Sequence, residues 1–431
     1  MTLLPSVSPM IGPRQPLPDS LRGSEIGSFA HRTVTQRMPE LGRLAIKENR
    51  FPPEVNARLE DLLAEIPWAI LRPLHDPGAP DVADWDRYLA AVEGQNWLQV
   101  PWFFAETYFY RRILEATGYF QSGSTQGIDP YTSQKYQVMA VSQPVIRAMS
   151  DRLNTMLQTQ RSGPPGAARH RQDLIDLLGL NLWGNQADLS MWPAGHGERP
   201  DHRDPRDQQS HLLDDDRPAL VDYLIGLSNQ QVTGPGRIDF IIDNAGLELV
   251  NDLVLADYLL SAGLLEAIRF HLKVHPTYIS DALIADVRRT IHMLAADDQD
   301  GVQDLAGRLN GHLASGRLQL EDHLFWTSPL SFWQMPAPLQ AELSRSHLLV
   351  SKGDANYRRL LGDRRWPPTT PLGDVLNYVP APLAALRVLK AEVVIGLRPE
   401  QVSCLEQEDP NWLFDGNWGV IQFIHTKRSQ I

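Results

Sequence analysis

The sequence predicts an α/β fold, a largely parallel β-sheet with helices on both faces, preceded by an all-helical region. Three observations predict it. Beyond the first 20 residues, the first 170 or so read as helical. A stretch rich in Pro and Gly, RSGPPGAAR at 161–169, resists both helix and strand and reads as a linker. Beyond it, short apolar runs alternate with helical stretches, the pattern of parallel strands joined by crossover helices. The chain is thus expected to divide into a helical domain, 1–165, with a loose Pro-rich arm at 1–20, and an α/β domain, 166–431.

The elements follow in order. SFAHRTVTQRMPELGRLAIKEN spaces its apolar residues three and four apart, and PEVNARLEDLLAEI does the same with Pro53 at a helix start. PWFFAETYFYRRILEATGYF is an aromatic-rich helix ending near Gly118, and its aromatic stripe reads as core. SQKYQVMAVSQPVIRAMSDRLNTMLQT continues the helical series. Strands are expected at RIDFIID (237–243), IRFHLKV (268–274), SHLLVSK (346–352), AEVVIGL (391–397) and WGVIQFI (418–424). Helices such as ELVNDLVLADYLLSAG and SDALIADVRRTIHMLAA fall between them.

Composition narrows the function. At 431 residues, 42% hydrophobic and 21% charged, the chain is globular in character and long enough for a sizeable core. No apolar run is long enough to span a bilayer, so no membrane partner is expected. The first residues lack the basic-then-apolar order of a signal peptide. Cys404 is the only cysteine, which excludes an internal disulfide and a zinc site built on several thiolates. A cytoplasmic location is the simplest expectation. The net charge of -12 argues against nucleic acid, which needs a basic face. Lysine is scarce, 6 residues against 34 arginines, so each lysine is worth locating.

In parallel sheets, ligands bind outside the carboxyl ends of the strands. The first expected strand ends in Asp243-Asn244-Ala245-Gly246. A carboxylate closing a buried run is unfavourable unless it is paired or bound to a cation. Asn244, Glu248 and Asp252 follow at i, i+4 spacing, on one face of the next helix. Asp243 and Asn244 offer hard oxygens suited to a divalent ion, and they also suit a helix cap. The local pattern leaves both open. Asp281, after the second strand, reads as the N-cap or a first-turn residue of the next helix, and it stands beside Asp243 if the two strands are neighbours. SHLLVSK leads into Lys352-Gly353-Asp354-Ala355-Asn356, where a glycine, a lysine and the first N–H groups of a helix suit an anion. It is not a P-loop, since no lysine here precedes Ser or Thr. Arg387 and Lys390 are expected on the helix before 391–397, one turn apart, as a solvated basic face or an anion-binding pair.

Four runs, LWGNQADLS (182–190), DNAGLELVNDLVLAD (243–257), SKGDANYRRLLGDRRW (351–366) and RVLK (387–390), resemble the metal-dependent damage-control phosphatases. The likeness is to their third subfamily, the acidic-residue methyltransferase-like group, and SFAHRTVTQRMPE, PWFFAETYFYRR and DPYTSQK extend it over nearly the whole chain. The resemblance implies a three-layer α/β domain with a Rossmann-like sheet beside an N-terminal helical domain. It also implies a bound divalent metal (manganese, nickel, cobalt or magnesium) and hydrolysis of sugar phosphates of the fructose 1-phosphate or fructose 6-phosphate type. By position, Asp243, Asn244 and Asp281 match the family's metal ligands, residues 352–356 a substrate-binding segment, and Lys390 a substrate-binding lysine. Glu248 and Asp281 match positions that the methyltransferase proposal gives to S-adenosylmethionine. Asn185 and Asp188 are placed near the site. The subfamily's Arg-Thr-x-Lys signature reads Arg387-Val388-Leu389-Lys390 here, so a hydroxyl is missing.

The chemistry expected is metal-assisted hydrolysis of a phosphomonoester on a small metabolite. The metal polarises the phosphoryl group and acidifies a water. Lys352, Lys390 and the N–H groups around Gly353 neutralise phosphate oxygens, and Asp354 positions the water or protonates the leaving oxygen. Asp243 as a nucleophile is the alternative, disfavoured by the absence of an Asp-x-Asp-Gly-Thr motif. Two rival functions stand beside this: a protein carboxyl methyltransferase using S-adenosylmethionine, and a non-catalytic sugar phosphate sensor.

Overall fold

The computed structural model describes residues 12–161, 167–184, 210–229 and 236–425. Among them, seven strands form one sheet: β1 (Leu212–Asp215), β2 (Arg237–Ile241), β3 (Ala267–Leu272), β4 (Leu318–Asp322), β5 (Leu348–Lys352), β6 (Leu383–Val388) and β7 (Gly419–Ile424). Their order across the sheet is β1-β7-β6-β5-β2-β3-β4. The five strands from β6 to β4 are parallel. β7 runs antiparallel to β6, and β1 pairs parallel to β7. The sheet is therefore mostly parallel, and β2 lies where the chain order turns, with β3 on one side and β5 on the other.

One expected strand is elsewhere. AEVVIGL, 391–397, is a buried loop, and the strand is the preceding Leu383–Val388. The run is apolar because Val393, Val394, Ile395 and Leu397 are buried in the core. Its carbonyls find a cation instead of a ladder: Arg387 donates to Ala391 O (3.0 Å) and to Val393 O. β1 and β4 were not foreseen, because their sequences, LLDD and LQLED, carry acids in place of an apolar run. Charged residues are common on the edges of sheets, where these two strands sit.

Helices cover both faces. α1 (Phe29–Arg32), a π-helical turn (Thr33–Arg37) and α2 (Met38–Glu48) form one continuous segment. Pro39 explains the wide turn: it has no N–H for the carbonyl of Thr35, so the α-helical pattern cannot run through it. α3 (Pro53–Glu65), α4 (Val82–Ala90) and α5 (Trp102–Thr117) follow, with α5 ended by Gly118 at φ 72°. These helices share one apolar cluster with Ile241, Leu349, Leu383 and Ala385 of the sheet. α6 (Thr132–Arg161), α7 (Ala167–Trp183), α8 (Arg217–Asn229), α9 (Leu247–Ser261), α10 (Ile284–Ala295) and α11 (Asp300–Ala314) cover the other face. There they bury Ile238, Phe240, Leu348, Val350, Ala384, Leu386 and Val388. Alternate strand residues thus serve opposite layers, as the pleat requires.

The linker read at 161–169 is shorter than expected. Arg161 ends α6 and Ala167 begins α7, because Ala167, Ala168 and Arg169 are good helix formers. Residues 162–166 lie outside the described set. Within the Pro-rich arm, Arg14 N–H donates to Asp374 O (3.2 Å) and Arg364 donates to Pro18 O (2.6 Å). No helix among the described residues is long and apolar enough to cross a membrane.

Candidate active site

The carboxyl ends of β6, β5, β2 and β3 lie together, and a cleft opens there. Six residues singled out in the sequence line it: Asp243, Asn244, Asp281, Asp354, Ala355 and Lys390.

Asp243 and Asn244 follow β2 and precede α9, whose N-cap is Gly246 at φ 76°. Neither is the helix cap, and Asn244 is not on the helix with Glu248. Asn244 instead pairs with Asp281 in an isolated antiparallel bridge. Ala245 N–H donates to Ser280 O (2.7 Å) and Ala282 N–H to Asp243 O (2.8 Å). The side chains are equally fixed. Ser280 Oγ donates to Asn244 Oδ1 (2.6 Å), and Asn244 Nδ2 donates to Asp243 Oδ2 (2.9 Å) and Glu248 Oε2 (2.8 Å). Asp281 is not the cap of α10 either, which is Leu283, with Asp286 accepting its N–H (2.9 Å). Asp281 Oδ2 lies 3.2 Å from Lys273 Nζ, a buried cation that the sequence reading missed.

The loop that carries Asp281 is held from above. Tyr278 and Ile279 adopt positive φ, 47° and 60°, which side chains with a Cβ rarely take. The Tyr278 hydroxyl meets that of Thr107 at 3.0 Å, and its ring packs on Phe103 and Tyr110 of α5. α5 therefore pins the strained turn, and the turn sets Asp281 against Asn244.

Gly353 follows β5 at φ 76°, and a Cβ there would collide with the carboxylate of Asp243. The glycine lets two strand ends close on one another. Asp354, next to it, receives Arg387 Nε (2.8 Å) and Lys390 N–H (3.2 Å), both on Oδ1. Arg387 is fully buried on β6, so it positions Asp354 and does not reach the cleft. The helix expected to carry Arg387 and Lys390 is a strand end.

Lys352, Asn356 and Glu248 also turn away from the cleft. Lys352 Nζ donates to Asp252 (2.9 Å), Glu248 (3.4 Å) and Asn181 O (3.2 Å), beneath the site. Strand parity sends it there: Leu348, Val350 and Lys352 share one face of β5. Lys352 is therefore not placed to meet phosphate, as the sequence reading expected. Burial opposes its charge, but Asp252 and Glu248 outweigh burial and raise its pKa. Burial has the opposite effect on Glu248 and raises its pKa to about 7, with Lys352 pulling it down and Asp252 pushing it up. Asn356 donates to Ile241 O, Ile242 O and Lys352 O, tying the end of β2 to the start of the helix Gly353–Leu361. Val388 is fully buried in the apolar layer on the far side of the sheet, so its missing hydroxyl is not a cleft group. Asn185 and Asp188 lie outside the described residues.

The opposite wall comes from the helical region, which the sequence reading did not include in the site. Phe29, Thr33, Arg37 and Leu41 line the cleft from the first helical segment, and Trp102, Glu106 and Tyr110 from α5. Both sets repeat every four residues, a spacing that puts them on one helix face. Glu106 accepts from Arg358 (2.7 Å). Burial raises its pKa, and Arg358 works against that rise.

Among the described residues, no group of three or more His, Cys, Asp or Glu is arranged to hold a metal. The candidate set is two carboxylates and one amide oxygen, all hard donors in one cleft, an incomplete shell of the kind that oxygen-seeking divalent ions accept with water or substrate.

Comparison with known proteins fixes the family. Residues 33–405 match the model of the damage-control phosphatase ARMT1-like domain. The chain is similar to proteins named damage-control phosphatase ARMT1: 33% identical to that of Bos taurus, with 96% of this chain and 99% of the relative aligned. The Danio rerio protein is 32% identical over 96% and 98%, and the Homo sapiens protein 30% over 94% and 98%. A crystal structure of a DUF89 family protein from Pyrococcus horikoshii aligns over 91% of this chain and 96% of that one, at 13% identity and a TM-score of 0.44. The chain belongs to the ARMT1-like damage-control phosphatases, a family of phosphoric monoester hydrolases.

Proposed function

We propose that this protein is a metal-dependent phosphatase that hydrolyses a phosphomonoester of a small metabolite, a sugar phosphate of the fructose 1-phosphate or fructose 6-phosphate type. The observation that carries this is the convergence of Asp243, Asn244 and Asp281 with Lys390 in one cleft. Asp243, Asn244 and Asp281 would hold the divalent ion. When bound, such an ion polarises a phosphoryl group and lowers the pKa of a water.

The chain's own residues do the rest. Lys390 attracts the phosphate and offsets charge that builds on its oxygens. Asp354, oriented by Arg387 and by the N–H of Lys390, positions the attacking water or passes a proton to the leaving oxygen. Ser280 and Glu248 hold Asn244 so that its amide cannot rotate. Lys352 acts indirectly, as the counter-charge that keeps Glu248 and Asp252 in place.

Phosphate release, measured across Mn2+, Ni2+, Co2+ and Mg2+ with a panel of phosphorylated metabolites, tests the reading. Metal-dependent release is expected, greatest for sugar phosphates. Release from no member of the panel with any metal would overturn it.

A further inference from the structure

Thr33 stands out on the helical wall of the cleft. It is 2% exposed, it lines the cleft, and its Oγ1 has no hydrogen-bond partner among the described residues. Threonines in helices usually donate to the preceding turn. Two neighbours do so: Thr35 Oγ1 donates to His31 O (2.7 Å) and Thr107 Oγ1 to Phe103 O (2.7 Å). Thr33 opens the π-helical turn, a rare geometry that recurs at functional sites. A hydroxyl buried without a partner is unfavourable, and a ligand hydroxyl in the cleft would supply one.

The surroundings define the ligand. Arg37 lies one turn on from Thr33, and Glu106 and Tyr110 sit four apart on α5, all lining the same cleft. Guanidinium and hydroxyl groups donate, while the Glu106 carboxylate and the hydroxyls accept. A carbon chain bearing several hydroxyls satisfies both kinds.

We propose that Thr33, with Arg37, Glu106 and Tyr110 beside it, binds the hydroxyl-bearing carbon chain of the substrate, making Thr33 a specificity-determining residue for polyhydroxylated phosphate esters. This deepens the phosphatase reading and rests on it for the phosphate end. The α/β wall takes the group common to all phosphomonoesters, and the helical wall takes what distinguishes them.

Titration calorimetry on Mn2+-loaded protein tests it, with inorganic phosphate and fructose 1-phosphate in its non-hydrolysable phosphonate form as the two probes. Thr33→Val keeps the shape and removes the hydroxyl. It is expected to weaken fructose 1-phosphate by about tenfold and leave inorganic phosphate unchanged, while Thr33→Ser keeps the wild-type affinity for both. Equal losses for the two probes, or no loss for either, would overturn the proposal. So would wild-type protein that binds fructose 1-phosphate no more tightly than inorganic phosphate. If the binding pattern holds but no phosphate is released, the phosphatase reading fails and this inference stands.

Discussion

Two clusters of charge lie at the end of β2, on opposite sides of Asn244. Above it, Asp243, Asp281, Asp354 and Lys390 face a cleft. Below it, Glu248, Asp252 and Lys352 are closed off from solvent, and the lysine touches both acids. Asn244 links the two, donating to Asp243 from the upper cluster and Glu248 from the lower. Lys352 closes β5 and Lys390 comes just after β6, so both stand at strand ends in the structure. The difference is direction: Lys352 neutralises charge that the fold itself has buried, and Lys390 faces the space where a ligand's charge would arrive. Similar residues thus divide into one set that holds the fold beneath the cleft and one set that lines the cleft.

Replacing each lysine is the sharpest way to break that comparison. Lys352→Met leaves two buried acids without their cation, and it should lower unfolding free energy by about 3–5 kcal/mol. Lys390→Met should leave stability much less changed and reduce kcat/KM by about 10^2 to 10^3. Urea unfolding and phosphate-release kinetics on both variants check this. Equal destabilisation by the two would erase the distinction.

Gly353→Ala tests the contact between strand ends on which the upper cluster depends. The new Cβ would meet the Asp243 carboxylate at a left-handed φ, so a loss of roughly 1–3 kcal/mol is expected, with falling activity. A variant with wild-type melting temperature and turnover would show that Asp243 tolerates movement.

The smallest effect concerns a partly buried acid with no ion-pair partner among the described residues. Asp214, on edge strand β1, is raised to about 6 by burial, with Gln422 working against the rise and Asp216 adding to it. The folded state therefore holds a proton that the unfolded chain has lost between pH 4 and 6. Stability contributed here falls as pH rises through that window. Asp214→Asn should flatten this slope and slightly stabilise the protein at pH 7, as read from melting temperatures across pH. A steeper slope in the variant would contradict the assignment.

Much of this arrangement was legible. The rule that ligands gather at the carboxyl ends of parallel strands led to Asp243, Asn244, Asp281 and Asp354, whereas Lys390, expected on a helix, is singled out by the family resemblance. The same rule misplaced Lys352 because it ignored strand parity, although Leu348 and Val350 on that face already point to the far layer. Parity also explains Arg387 and Val388, but the sequence places Arg387 on a helix before 391–397, which hides the alternation. The apolar loop at 391–397 competed for the strand assignment, since burial alone resembles a strand when a buried arginine satisfies the carbonyls. The helical wall was missed for another reason. Its four-residue stripes mix polar groups into an aromatic face that reads as core, and only the packing of α1, α2 and α5 over the sheet turns them into a cleft. Lys273 and the strained Tyr278–Ile279 turn gave no local signal, because their roles depend on a loop whose shape is set from outside it.

The most direct test of the central claim compares three samples in one phosphate-release assay with fructose 1-phosphate: metal-stripped wild type, the same protein reloaded with Mn2+, and Asp243→Asn with Mn2+ added. Stripping and substitution should each reduce turnover by about 10^3 or more, Mn2+ should restore only the wild type, and circular dichroism should stay unchanged throughout. Full turnover by the stripped protein, or by Asp243→Asn, would contradict it.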